Sequence, residues 1–206
     1  MSGRADLVEL LVQRGVLRFG DFTLKSGRKS RYFFNLGNLD DGESLARIGS
    51  ELGQLLLSEV GADGFDLVFG PAYKGITLAA ATVDALWREH GLSKPFCYDR
   101  KEEKTHGEGG RFVGRTPAAG TRVVVVDDVI TDGATKVDAV RRIEETGAQV
   151  VAVAIVLDRQ DPHPDGGVQS ERFVKETGKR LLSLLSKADV EPYLEDGSSP
   201  IRSSQS

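Results

Sequence analysis

Two adjacent aspartates, Asp127 and Asp128, follow a run of four valines and precede a turn of small and hydroxyl-bearing residues. The turn contains Thr131, Gly133 and Thr135 and leads into a helix-like segment. Backbone N–H groups, hydroxyls and a helix N-terminus form a natural site for a phosphate monoester. The two carboxylates would repel that phosphate, so they need another target, such as ribose hydroxyls or a hydrated Mg²⁺. The stretch therefore predicts a site that spans a ribose 5-phosphate.

Other readings of these phosphate-like motifs are weaker. Acidic strand ends and helix N-caps occur without any function, but here hydroxyls and a glycine accompany the acids. No G-x-G-x-x-G follows a predicted strand, which argues against a dinucleotide site. The segment "GPAYKGIT" (70–77) lacks the G-K-[ST] ending of a P-loop, because Ile76 follows Gly75.

The elements that must position these residues alternate along the chain. The hydrophobic pattern predicts a helix near 5–14 and a hairpin over 22–35, then strands at 65–71, 94–100, 122–127 and 148–159, helices at 43–61, 74–91 and 134–147, a short helix before an apolar "RLLSLLS", and a final helix around 187–195. Such alternation predicts an α/β fold with a mostly parallel sheet and helices on both faces. Ligands bind at the carboxyl ends of such strands, where the two aspartates are expected. The segment 101–120 is polar, glycine-rich and aperiodic.

Composition limits the class of protein. The 206 residues carry 27 Lys+Arg and 31 Asp+Glu, a formal net charge of −4, which argues against nucleic acid or an anionic membrane as the main partner. The single cysteine, Cys97, excludes an internal disulfide framework and a multi-cysteine metal site. We find no signal peptide and no apolar run of about 20 residues, and expect a cytoplasmic protein. We predict one domain over 1–195 and a disordered tail over 196–206.

Four ordered motifs carry a resemblance to a known family. Residues 123–135 resemble the phosphoribosyl-pyrophosphate motif of type I phosphoribosyltransferases. The segments "FTLKSGRKSRYFFN", "FGPAYKG" and "RKEEKTHGEGG" resemble those of bacterial orotate phosphoribosyltransferases, and the similarity runs from the first helix to about residue 195. The resemblance implies the type I fold, with a core over 41–160 and a small hood from 1–40 and the C-terminal part. It implies transfer of a phosphoribosyl group from 5-phosphoribosyl-1-diphosphate to orotate, in pyrimidine (UMP) biosynthesis.

The resemblance also assigns roles to individual residues. It implies contacts to the sugar diphosphate from three loops and the hairpin, by Lys25, Tyr73, Lys74, Arg100, Lys101, Lys104, His106, Asp127, Asp128, Val129, Ile130, Thr131, Asp132, Gly133, Ala134 and Thr135. It implies orotate binding by Phe33, Phe34, Thr131 and Arg159. It implies catalytic roles for Lys104, His106, Asp127 and Asp128.

Further expectations concern the lid, the metal and the backbone. The cationic, glycine-containing segment 101–115 resembles a lid that closes over the neighbouring subunit's site, which implies a homodimer. Mg²⁺ is expected to bind mainly through the sugar diphosphate, without a dedicated protein metal site. The resemblance implies a cis non-proline peptide near Ala72–Tyr73–Lys74.

Two alternatives remain open, a phosphoribosyltransferase for another base and a regulator that senses the sugar diphosphate on the same fold. The arginine of "LDRQ" and the hairpin argue against the first, and the acidic charge with the retained Lys104 and His106 argues against the second. Asp132 departs from the family pattern, which usually has a small residue there.

Overall fold

The structure, a computed structural model, describes residues 3–24, 27–104, 110–130 and 133–195. For 101–104 and 195 it describes the backbone alone. The helices are α1 (Arg4–Gln13), α2 (Gly42–Glu59), α3 (Lys74–His90), α4 (Ala134–Glu144), α5 (Gln169–Thr177), α6 (Lys187–Val190) and α7 (Pro192–Glu195). The strands are β1 (Leu17–Thr23), β2 (Lys29–Phe34), β3 (Leu67–Phe69), β4 (Phe96–Lys104), β5 (Gly110–Gly114), β6 (Arg122–Ile130), β7 (Gln149–Asp158) and β8 (Arg180–Ser186).

Six strands form the main sheet, in the order β5-β4-β3-β6-β7-β8. Every neighbouring pair is parallel except β4 and β5, which are antiparallel. The alternating strands and helices predicted this arrangement, because parallel neighbours require a crossover that a helix usually provides.

Helices cover both faces of the sheet, as expected. Side chains alternate along β6, so Val124 and Val126 join the hydrophobic cluster that contains α1, α2 and α3. Val123 and Val125 face the other way and join the cluster that contains α4 and α5. Continuous apolar strands are the pattern of a sheet buried on both sides.

Local signals place the ends of the long helices. At the start of α2, the Asp41 carboxylate accepts a hydrogen bond from the Ser44 N–H at 2.8 Å, which satisfies a helix N–H that has no intrahelical partner. After α3, Gly91 adopts a left-handed conformation with φ 66°, which favours glycine. No helix of the described residues is long and apolar enough to cross a membrane.

A separate two-stranded sheet and the last two helices pack together. β1 and β2 pair antiparallel, as the predicted hairpin requires, although β1 begins at Leu17 rather than near 22. The Phe19 ring stacks on Tyr193 of α7 with centroids 6.2 Å apart, and the Arg31 guanidinium donates to the Leu194 carbonyl at 2.9 Å. α7 therefore packs on this hairpin.

Three boundary predictions were wrong. The valine strand was predicted to end at 127, but β6 pairs with β7 as far as Ile130. The segment 101–120 was predicted to be irregular, yet β4 extends to Lys104 and pairs with β5. Strands pair through backbone hydrogen bonds, which do not require alternating apolar and polar side chains. A pair of polar strands at the edge of a sheet therefore lacks the hydrophobic alternation that predicts a strand. The final helix is interrupted before Pro192.

Candidate active site

Three loops follow neighbouring central strands of the main sheet, at the carboxyl ends of those strands. They follow β3, β6 and β7, which are parallel neighbours, so their carboxyl ends point the same way. Phe69 at the end of β3 pairs with Val125, whereas β6 continues to Ile130, which pairs with Asp158 of β7. The end of β6 therefore projects beyond β3 and lies between the other two loops.

The acidic pair, Asp127 and Asp128, lies within β6 near its carboxyl end and is buried. Asp127 is only 5% exposed, and its Oδ1 accepts a hydrogen bond from the Asp128 N–H at 2.8 Å. Asp128 Oδ1 likewise accepts from the Val129 N–H at 2.7 Å. Backbone N–H groups thus hold one oxygen of each carboxylate and leave the other for a cation or a ligand.

Two lysines from different helices neutralise this pair. Lys136 Nζ of α4 lies 2.6 Å from Asp127 Oδ2 and 3.8 Å from Asp128 Oδ1. Lys74 Nζ of α3 lies 2.9 Å from Asp128 Oδ2. The Lys136 side chain is 9% exposed and the Lys74 side chain 44%, so only Lys74 can leave its carboxylate for solvent or ligand without major rearrangement.

Burial raises the pKa of Asp127, the negative charge of Asp128 raises it further, and Lys136 opposes both. Lys136 therefore favours the charged form of this buried carboxyl group. Sequence reasoning did not identify this lysine, although its place in the first turn of the helix that follows the acidic pair was a usable signal.

The loop after β3 is tightly folded. A Cβ on Gly70 would lie 1.9 Å from the Gly75 carbonyl oxygen, and one on Gly75 would lie 2.6 Å from Pro71 Cδ. Both positions therefore need glycine, because real Cβ atoms do not approach so closely. The Ala72–Tyr73 peptide is cis, which confirms the expectation from the resemblance.

The loop after β6 leads directly into α4. Gly133 precedes the helix in a left-handed conformation, with φ 78°, and Ala134 and Thr135 form the exposed first turn. The buried Ile130 side chain belongs to the cluster that contains α4 and α5, and Val129 packs against the cluster that contains α1, α2 and α3. Their contribution to a ligand is thus limited to backbone groups.

A cavity of about 460 Å³ lies between β2, the loop after β7 and the C-terminal helices. Its most buried cation is Arg159, which is 5% exposed and whose guanidinium lies 4.9 Å from the Tyr32 ring centroid. Arg159 Nη2 donates to Ser30 Oγ at 3.3 Å, and Nε lies 3.3 Å from Asp161 Oδ2. That second contact is too poorly aligned for a hydrogen bond, so Nε has no hydrogen-bond partner among the described residues. A buried donor without a hydrogen bond is costly. The guanidinium also lines the cavity, where a ligand carboxylate would pair with it.

The hairpin presents a different aromatic residue to this cavity than expected. Phe34 is buried in the core cluster, and Phe33 packs against Phe22 with centroids 5.6 Å apart. Neither residue lines the cavity, whereas Tyr32 does. The sequence did not single out Tyr32, Asp161 or Arg28, which pairs with Asp161.

Other predicted contacts are only partly described. Tyr73 is exposed at the turn before α3, and Arg100 is half-buried in β4. Lys25, His106, Thr131 and Asp132 lie outside the described residues, as do the side chains of Lys101 and Lys104 and the tail 196–206. Their assigned roles stay predictions.

Comparison with known proteins decides the family. The model of the phosphoribosyl transferase domain matches residues 35–166. An orotate phosphoribosyltransferase of Thioalkalivibrio sulfidiphilus is 46% identical over 193 residues, which cover 94% of this chain and 89% of the relative. The chain belongs to the orotate phosphoribosyltransferase family. The Pseudomonas aeruginosa orotate phosphoribosyltransferase is 44% identical over 93% of this chain and 88% of its own length.

Solved structures of this family share the fold. The orotate phosphoribosyltransferase of Francisella tularensis has a TM-score of 0.81 at 31% identity and covers 93% of this chain and 91% of its own. The Mycobacterium tuberculosis enzyme, solved with 5-phospho-alpha-D-ribosyl 1-diphosphate, has a TM-score of 0.68 at 27% identity and covers 91% of this chain and 98% of its own. The mostly parallel sheet with an N-terminal hairpin is thus the type I phosphoribosyltransferase fold.

Proposed function

We propose that this protein transfers the 5-phosphoribosyl group of 5-phosphoribosyl-1-diphosphate to orotate, giving orotidine 5′-monophosphate and diphosphate in pyrimidine biosynthesis. The observation that carries the proposal is the position of Arg159. Its guanidinium is buried, makes no hydrogen bond at Nε among the described residues, and lines a cavity at the end of β7, the strand beside the acidic pair of β6. The family membership of the chain supports the same reaction.

The sugar diphosphate would bind across the three loops. In our proposal Asp127 and Asp128 accept hydrogen bonds from the ribose hydroxyls, and residues 131–135 with the start of α4 hold the 5-phosphate. Tyr73 and Lys74 meet the diphosphate, together with the cations of 100–106. Lys74 can exchange Asp128 for the diphosphate because its side chain is half-exposed.

The two aspartates also favour the bond change. The C1–O bond to diphosphate breaks as N1 of orotate, which has lost its proton, bonds to C1, and diphosphate leaves with the electron pair. Positive charge develops on the ribose during this step, as in glycoside hydrolysis. Fixed carboxylates near the ribose stabilise that charge, and lysines compensate the departing diphosphate.

Orotate differs from uracil by a carboxylate, and Arg159 is placed to bind it. A guanidinium can hold a carboxylate through two parallel hydrogen bonds. Asp161 would repel the ligand, but Arg28 pairs with it from the hairpin. Phe33 and Phe34 do not line the Arg159 cavity, so their contacts with the orotate ring stay predictions, whereas Tyr32 packs against the guanidinium in that cavity.

In the proposed site Mg²⁺ would be bound mainly by oxygens of the sugar diphosphate rather than by protein side chains. The described residues contain no cluster of three or more His, Cys, Asp and Glu side chains that could hold a metal. The two carboxylates of the proposed ribose site, Asp127 and Asp128, are already paired with lysines. Mg²⁺ would neutralise the diphosphate through phosphate and ribose oxygens. A homodimer with shared sites, a lid over 101–115 and a cytoplasmic location complete the proposal.

One assay tests the reaction. Orotate absorbance should fall when the sugar diphosphate and Mg²⁺ are added, and uracil, hypoxanthine and adenine should give no transfer. Uracil is the sharpest control because it lacks only the carboxylate. Equal use of uracil and orotate, or use of a purine alone, would contradict the proposal.

A further inference from the structure

A buried carboxylate outside the proposed ligand contacts joins the loop after β3 to the sheet. Asp99 of β4 is 4% exposed. It lies two residues after Cys97, which pairs with Phe69 at the end of β3. Cys97 belongs to the cluster on the α4 side of the sheet, and side chains two residues apart in a strand share a face, so Asp99 faces α4 as well.

Each oxygen of this carboxylate binds a different element. Asp99 Oδ1 accepts a hydrogen bond from the Ala72 N–H at 2.9 Å. Asp99 Oδ2 lies 2.6 Å from Nη1 of Arg142 in the last turn of α4. Arg142 is itself held, since its Nε donates to the Asp138 carbonyl at 3.1 Å. A charge this deeply buried persists only when it is paired and hydrogen-bonded.

These contacts hold the loop after β3 against β4 and α4. Gly70 N–H donates to the Cys97 carbonyl at 3.0 Å, so β4 holds the loop after β3 at two points, residues 70 and 72. The same α4 that carries Arg142 begins at the loop after β6. The path from Ala72 through Asp99 to Arg142 therefore ties the loop after β3, proposed to bind the diphosphate, to the last turn of α4.

We propose that Asp99 is a positioning residue, which fixes the loop after β3 for the diphosphate by joining its backbone to Arg142. The inference rests on the proposed phosphoribosyl transfer. Asp99 touches no substrate; it acts through the Ala72 backbone. Its negative charge would weaken diphosphate binding if it were free, and Arg142 cancels it.

Substitutions at this position should affect one substrate. Asp99→Ala removes both acceptors, so we expect KM for the sugar diphosphate to rise about tenfold or more and kcat to fall, because the loop is no longer held in place. KM for orotate should change less than about twofold, since the Arg159 cavity lies at the end of β7. Asp99→Asn keeps an acceptor for only one of the two donors, so it should show a smaller defect of the same kind.

Asp66 provides the matched control, because it lies just before β3, at the amino end of the strand whose carboxyl end carries the loop with Ala72. Its carboxylate also accepts a backbone N–H, that of Arg122 at 2.8 Å, and a guanidinium, Arg122 Nη2 at 2.6 Å. Asp66 is more exposed than Asp99, so the control matches the contacts rather than the burial. Asp66→Ala should lower Tm and leave both KM values unchanged.

The experiment is steady-state kinetics with both substrates for the wild type and the three variants, with Tm measured for each. If Asp99→Ala lowers only Tm, as Asp66→Ala does, or raises both KM values equally, the inference is wrong. If Asp99→Ala does not fold, the same criteria apply to Asp99→Asn. A wild type without transfer activity contradicts the proposed function instead. Calorimetric binding of inorganic diphosphate then decides the inference: weaker binding by the Asp99 variants supports it, and unchanged binding overturns it.

Discussion

Arg159 is the residue that we propose binds the carboxylate of orotate. Replacing it by alanine should weaken orotate far more than the sugar diphosphate, because only orotate offers a carboxylate to the guanidinium. Loss of a charge-assisted contact typically costs about 1.5–3 kcal/mol, so KM for orotate should rise about tenfold to a hundredfold. Steady-state kinetics with each substrate varied in turn measures the difference.

A matched control for this change is Arg180→Ala. Arg180 pairs with Glu59 on the surface of β8, outside the cavity. Its KM values should stay within about twofold of the wild type, as expected for an exposed ion pair. Equal weakening of both substrates in Arg159→Ala would mean that Arg159 does not bind the carboxylate.

Lys136 favours the ionised form of Asp127. Burial raises the pKa of Asp127 and Lys136 opposes that rise, so Lys136→Met should raise the pKa further. In the proposed mechanism the ionised carboxylate binds the ribose, so the acid limb of kcat/KM for the sugar diphosphate should move to higher pH. Breaking a buried ion pair should also lower the free energy of unfolding by about 3–5 kcal/mol.

The same pKa gives the sign of the stability change with pH. A carboxyl group whose folded pKa lies above its unfolded value stabilises the fold when protonated, and that contribution is lost as pH rises through the folded pKa. Lys136→Met should therefore lose more stability at neutral than at acidic pH. Lys175→Met, on the exposed face of α5, is the control. An acid limb that stays in place in Lys136→Met would refute this role.

At the scale of elements, two glycines of α2 differ in how closely α3 approaches them. A Cβ on Gly49 would lie 2.4 Å from the Ala81 carbonyl oxygen of α3. Because that oxygen belongs to the backbone, one of the two helices would have to shift to relieve the clash. The nearest atom to a Cβ on Gly53 is Leu86 Cδ2 at 3.5 Å, an ordinary contact. Gly49→Ala should therefore cost about 1–3 kcal/mol of stability, as overpacked sites do.

Gly53→Ala should be neutral or stabilise the protein by about 0.4–1 kcal/mol, because alanine reduces the freedom of the unfolded chain. Chemical denaturation of both variants measures the difference within one helix. Equal effects of the two substitutions would show that the α2–α3 contact is not as close as the structure has it.

At the scale of the whole molecule, the proposed lid makes each active site composite. If Lys104 closes over the partner subunit, Lys104→Ala and Asp128→Asn should each be nearly inactive. Refolding the two mutants together at equal amounts makes about half the dimers hybrid, and one of the two sites in each hybrid carries neither change. The mixture should therefore recover roughly a quarter of wild-type activity.

Specific activity before and after joint refolding measures this recovery, with each mutant refolded alone as the control. A mixture that stays inactive would mean that the lid serves its own subunit, since every site would then carry a change.

The sequence by itself determined the order of elements and the loops that carry chemistry. Period 3.6 in α2 and α3 and continuous apolar runs in β6 and β7 predicted the layered α/β sheet, because burial dictates those patterns. The acidic pair with its glycine and threonines predicts a ribose 5-phosphate site independently of the family resemblance. Arg159 was identified through the "LDRQ" motif, and the structure places it in a cavity.

Only the tertiary structure decided which charges meet. Lys136 and Asp127 lie nine residues apart, and Asp99 and Arg142 lie on different elements, so their pairing depends on how α4 packs over the sheet. The side of β2 that faces the cavity was also beyond the sequence, since adjacent aromatic residues of a strand point to opposite faces and the pairing register selects Tyr32. Sequence patterns report which residues are buried, whereas long-range packing decides what each buried polar group contacts.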